Sequence, residues 1–282
     1  MHTTHALLGG LGLSLVVAFP ALAQDTTPPP SGPVRRATPT QAMPSDEQSY
    51  QRETVFGLNF NTQGGLIGGV NVRVARVLDE RWLRFWSLEG VSFKSPKEES
   101  IVTVAGGSYK RFKANYAFAL RPSIGVQRIL FRKAADAGVQ VNGLLSAGPS
   151  LALLMPYYIS YDYSWSRNGA SQPNLNNDRI VDEAYDPGQH GDGHYILDRA
   201  PLFSGIAHTS VVPGVHLRAG LSFEYGRYRD NVAGAEVGFL AEVYTKRLLI
   251  LNPPPMNGVD VNSLNNQFFP SVYLTLYLGH RG

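Results

Sequence analysis

Residues 214–226, GVHLRAGLSFEYG, alternate without a slip. Val215, Leu217, Ala219, Leu221, Phe223 and Tyr225 fall on one side; Gly214, His216, Arg218, Gly220, Ser222, Glu224 and Gly226 fall on the other. A period of two predicts a β-strand with one apolar and one polar face. The pattern recurs from residue 52 onward and predicts strands at 53–61, 66–77, 82–94, 113–131, 138–158, 209–226, 232–249 and 267–280. Gln63-Gly64-Gly65, Leu78-Asp79-Glu80, 132–138 and 227–234 read as short turns. By contrast, 95–112, 159–208 and 250–266 are long and polar or rich in Pro and Asn.

These connections obey a parity. The short ones at 78–81, 132–138 and 227–234 fall at one end of an up-and-down array, and the three long ones fall at the other. Barrels of outer membranes sort their loops this way, with short periplasmic turns and long external loops. The faces point in the same direction. The polar faces run Asn115, Ala117, Ala119, Arg121, Ser123, Gly125 and Gln140, Asn142, Ser146, Gly148, Ser150, then Gly234, Glu236, Gly238, Glu242. Small residues with an occasional Arg or Glu suit a crowded interior. The apolar faces are bulky: Tyr116, Phe118, Leu120, Ile124, Val126; Val237, Phe239, Val243; Val272, Leu274, Leu276, Leu278. The expected fold is therefore all-β: a transmembrane up-and-down antiparallel β-barrel of about eight strands, with a polar, filled interior. Aromatic residues at strand ends read as interface belts: Tyr157, Tyr158, Tyr161, Tyr163 and Trp165, with Phe268 and Phe269, at the outer end, and Phe131, Tyr225 and Tyr228 near the short turns.

The N-terminal segment adds a destination. ALLGGLGLSLVVAF (6–19) has the length of a signal-peptide core, Pro20 breaks it, and Ala21-Leu22-Ala23 supplies a cleavage pattern. The preceding MHTTH lacks the usual Lys or Arg. Residues 1–23 are read as a signal peptide and the Pro-rich 24–51 as a disordered periplasmic linker, with the barrel over 52–282. No later stretch qualifies as a membrane helix; the nearest, 144–159, contains Pro149 and Pro156. The net charge of +3 comes from scattered basic residues, so no nucleic-acid partner is expected. Absence of cysteine excludes disulfides, thiol chemistry and a lipidated N-terminal Cys.

With its closing strand FFPSVYLTLYLGHRG, the region 52–282 resembles the small outer-membrane β-barrel family of Gram-negative bacteria, the OmpA/OmpX-like and PorT-like barrels. The resemblance rests on architecture and implies outer-membrane lipid and the barrel-insertion machinery as partners. The PorT-like barrels imply in addition an accessory role in secretion or envelope assembly beside other envelope proteins. Many such barrels end on Phe or Trp, whereas this chain ends Gly279-His280-Arg281-Gly282, which leaves Tyr273 or Tyr277 as the aromatic insertion signal.

Three constellations are candidates for chemistry. Arg73, Arg121, His216 and Arg218 share the inward face with Glu224, Glu236 and Glu242, and charges confined there should pair across strands. They form a salt-bridged plug or, alternatively, line a narrow ion path. His208-Thr209-Ser210 with Glu224 is similar to the His-x-Ser-plus-acid set of barrels that deacylate lipid A, although Val211 follows the Ser and the parity points all three into the lumen. In the external loop, Asp178, Asp182, Glu183, Asp186 and Asp192 offer oxygens for Ca²⁺, and His190, Asp192 and His194 offer a transition-metal set. Neither spacing matches a defined motif, and a solvated loop is the plainer reading. No cofactor is expected. The preferred function is non-enzymatic: a structural or interaction protein, or an accessory in envelope or secretion, presenting the loop 159–208. A small porin-like transport channel is the alternative, favoured if a hairpin within 159–208 adds strands to the barrel. A lipid A-modifying enzyme and a soluble barrel with an apolar interior stand behind it.

Overall fold

A computed structural model describes residues 50–63, 65–132, 138–164, 179–191, 193–225, 231–254 and 260–282, without the side chains of 65–67. The expected signal peptide, the linker up to residue 49, Asp178, Asp192, Trp165 and Tyr228 lie outside the described residues. In chain order the strands are β1 (Arg52–Asn61), β2 (Gly65–Val77), β3 (Trp82–Phe93), β4 (Glu99–Val102), β5 (Ser108–Arg111), β6 (Asn115–Phe131) and β7 (Val139–Pro156). They continue as β8 (Tyr158–Asp162), β9 (Ile180–Ala184), β10 (Ile196–Arg199), β11 (Ser210–Tyr225), β12 (Asn231–Tyr244) and β13 (Phe268–Arg281).

Eight of these close into an antiparallel up-and-down barrel in the order β1-β13-β12-β11-β7-β6-β3-β2. Closure is made by β1 on β13, from Glu53 opposite Arg281 to Asn61 opposite Tyr273. The amides of Gln51 and Arg52 bond the carbonyl of Gly282, so the last residue meets the first strand at one rim. β2 and β3, β6 and β7, and β11 and β12 are joined at this same terminal rim, whereas the long connections and the short turn between β1 and β2 leave from the opposite one.

The side chains are inverted relative to a water-soluble barrel. Along β13, Ser271, Tyr273, Thr275 and Tyr277 are buried while Val272, Leu274, Leu276 and Leu278 are exposed. Leu217, Leu221 and Phe239 face out, the last 71% exposed, whereas Arg121 and Glu236 are 1% and 2% exposed inside. An outer wall of bulky apolar groups around a polar interior is stable only against lipid, and closure leaves no unpaired strand edge there. The barrel spans a membrane. Large inward rings are housed by glycines opposite them: a Cβ on Gly220 or Gly238 would lie 2.3 or 2.7 Å from the Tyr273 hydroxyl.

Several expectations need correction. The strand expected to run to residue 158 leaves the barrel at Pro156, and the one expected to run to 249 stops at Tyr244. The long connections are not plain loops. β4 and β5 form a hairpin, and β8, β9 and β10 form a sheet in the order β10-β8-β9, so the hidden strands in 159–208 build a cap instead of widening the barrel. Tyr157 is fully buried with Ile159, Tyr185, Tyr109 and Ile196 in the core of that cap, not in an interface belt. Likewise Phe269 is buried with Phe93 and Tyr244, while Phe268, Phe131 and Tyr225 do face outward. Tyr273 and Tyr277, the expected insertion signal, point into the lumen.

Candidate functional site

The lumen is crossed by a continuous run of charge-assisted hydrogen bonds. From β6, Arg121 forks onto Glu242 of β12 through Nε (2.8 Å) and Nη2 (2.5 Å), and its Nη1 reaches Glu89 of β3 at 3.0 Å. Glu89 also accepts from Arg218 of β11 at 3.2 Å and from the Asn59 side-chain amide of β1. Arg218 donates to Glu236 at 2.9 Å and its guanidinium carbon lies over the Tyr273 ring, 3.8 Å from its centroid. Glu236 closes the run by accepting from Arg73 of β2 at 2.7 Å and from the Tyr273 hydroxyl at 2.8 Å. Each carboxylate therefore has guanidinium partners, which is the condition for keeping charges in a dry interior.

His216 sits against the same network. Ser150 donates its one proton to Glu242 at 2.9 Å, so it accepts from the His216 Nδ1–H at 3.0 Å, and Nε2 lies 2.8 Å from Ser123. Nearer the terminal rim a second group forms: Arg281 bonds Glu53 at 2.9 Å and Glu224 at 2.6 Å, with Tyr50 against the guanidinium. All seven lumen residues singled out in the sequence are inside, and Glu224 belongs to this lower group. Glu53, Glu89 and Arg281 were missed. Parity could have found Glu89, but Leu83 and Phe85 share its inward face and blur the polar stripe.

Above the charges the bore is filled by apolar groups. Phe93, Tyr244 and Phe269 pack with ring centroids 5.1–6.3 Å apart, Tyr244 meeting both phenyl rings edge to face. Leu248, Ile250 and Leu251, from the connection between β12 and β13, fold down onto them and are buried. Asn265 pins that segment: its Oδ1 accepts from the amides of Ile250 (2.8 Å) and Leu251 (3.0 Å), and its Nδ2 donates to the Leu251 carbonyl (2.7 Å). Among the described residues, salt bridges below and an apolar cluster above fill the bore.

The cap has its own architecture. β5 lies beside β10: the Ser108 amide bonds the Asp198 carboxylate at 3.0 Å and the Thr103 hydroxyl the Leu197 carbonyl at 2.6 Å. His190 is buried against Tyr161 and Tyr185. Its Nδ1 accepts from the Asp186 amide at 3.0 Å, so Nε2 carries the proton and donates to Glu183 at 2.9 Å, which also accepts from the Tyr163 hydroxyl. Burial raises the Tyr157 and Tyr185 phenols above their ordinary range. Burial also lowers the Lys113 ammonium, against the pull of Glu98 at 2.7 Å.

The described loop residues considered for metal are engaged in hydrogen bonds within the cap or lie on its surface. Asp182 accepts from Ser160 at 2.6 Å, Asp186 caps the Gly188 amide at 2.8 Å, His190 is engaged as above, and His194 is on the surface. Among the described residues no three His, Asp or Glu side chains gather as a metal site. The His208, Ser210 and Glu224 set is also taken apart. Ser210 pairs with Leu154 at the capped rim and Glu224 with Gln140 at the terminal rim. Fourteen residues of strand separate the two, on the order of 45 Å.

No protein-family model matches the chain, and no curated protein matches it. Among solved structures it is similar to Ail, the attachment invasion locus protein of Yersinia pestis, at 11% identity and a TM-score of 0.33 over 82% of this chain and 97% of that one. It is also similar to the Neisserial surface protein A (7%, 0.35, 83% and 97%) and to the N-terminal β-barrel domain of Pseudomonas aeruginosa OprF (8%, 0.33, 83% and 99%).

Proposed function

We propose that this chain is an exported, non-enzymatic protein of a bacterial outer membrane, in which a sealed barrel anchors a folded cap for interaction outside the cell. The observation that carries the reading is the pairing of an inverted barrel with a lumen crossed by the ion pairs of Arg121, Arg218 and Arg73 with their carboxylates. A filled bore has no transport task, and the elaborated surface is the cap of β4–β5 and β8–β10. Export uses the signal 1–23, the linker 24–51 stays in the periplasm, and the barrel-insertion machinery is the assembly partner. Other envelope proteins are the partner class for the cap, as the resemblance to PorT-like barrels suggests. Planar-bilayer recording with purified protein tests the sealed bore: no steady conductance is expected, and a stable open level would favour the channel instead.

A further inference from the structure

Among the described residues, the outward faces of the barrel strands carry charge at one place. Arg52 on β1, Arg76 on β2, Arg84 on β3 and Arg128 on β6 are exposed on four consecutive strands, all near the terminal rim. Among the described residues, no outward position of β7, β11, β12 or β13 carries Arg, Lys, Asp or Glu. Arg52 stands directly opposite Arg76, and Arg76 directly opposite Arg84. Same-face neighbours of this kind have Cβ atoms about 5 Å apart, and like charges so placed repel. Among the described residues none of the four forms an ion pair, although Asp79 and Glu80 lie in the adjoining turn. Arg128 lies over the Trp82 ring, 5.3 Å from its centroid.

A second observation continues from the same point. A groove of about 550 Å³ on the outer wall begins at Arg128 and Trp82 and runs along Leu130, Gly143, Leu145 and Ala219. Gly143 leaves space in its floor: a Cβ there would meet only Leu130, at 3.5 Å. A cationic cluster at headgroup level opening into an apolar trough matches an amphiphile with a negative head. We propose that this is a binding site for an anionic phospholipid of the periplasmic leaflet, its phosphate on the arginines and an acyl chain in the groove. The assignment rests on the membrane reading above.

The test uses full-length protein carrying Trp165→Phe, so that emission comes from Trp82 and Trp86, reconstituted in phosphatidylcholine vesicles. Quenching by brominated phosphatidylglycerol is compared with quenching by brominated phosphatidylcholine. A preference for the anionic lipid of at least about fivefold is expected, the order of one arginine at an anionic surface. Arg52→Gln/Arg76→Gln/Arg84→Gln/Arg128→Gln should abolish the preference and the corresponding four lysine substitutions should keep most of it. Lys94→Gln/Lys246→Gln, at the capped rim, should leave it unchanged. Equal quenching by the two lipids, or a preference that survives the four glutamines, overturns the site while leaving the barrel reading intact. Failure of the protein to float with the vesicles overturns both.

Discussion

Arg121 joins Glu89 to Glu242, and Arg121→Ala would strand Glu242 without its forked partner and leave Arg218 as the guanidinium on Glu89. Removing one member of a buried ion pair costs about 3–5 kcal/mol, which should show as a lowered urea midpoint for the barrel refolded in vesicles. A second residue-scale expectation concerns space. Gly238→Val would press into the Tyr273 hydroxyl and the backbone of β11. With about 1–3 kcal/mol of overpacking strain and no room to shift, the expected result is loss of the compact, fast-migrating form on unheated gels. A variant that folds and melts like the parent would contradict the packing described. The polar identity of the lumen positions was legible from parity alone, because period two is unambiguous along β11 and β12. Which carboxylate meets which guanidinium was not, since pairing depends on strand register, and register is invisible in a single strand's alternation.

At the scale of elements, the cap and the barrel divide the chain's hydrophobic residues between two environments. Barrel strands announce themselves by alternation, whereas β4, β5, β9 and β10 are four or five residues long and carry too few repeats to register. That is why 95–112 and 159–208 read as polar loops. The aromatic run 157–163 was misread for a related reason: Tyr residues beyond the last lipid-facing position look the same whether they meet headgroups or one another. Because the fold holds Tyr157 and Tyr185 protonated, their raised pKa values stabilise the cap below the ordinary tyrosine pKa, and that contribution is lost as pH rises through the folded values. Protease sensitivity within 158–208 should therefore increase above about pH 10, while the strands embedded in lipid stay protected. Tyr157→Ala should produce the same selective cleavage at neutral pH, and equal loss of cap and barrel would argue that the two are one cooperative unit.

For the whole molecule, the number of barrel strands, their order and the direction of their faces followed from the chain, because inversion is a global property repeated on every strand. The stopper at the capped rim did not. Leu248, Ile250 and Leu251 belong to a connection whose burial depends on a bore the sequence does not display. The meeting of Gly282 with Arg52 has a further consequence. Since beginning and end of the embedded part touch, neither holds a privileged station around the cylinder. A circularly permuted chain, with 282 tethered to 50 by a few glycines and fresh ends cut within 226–230, should assemble the same cylinder and bury the same Tyr273.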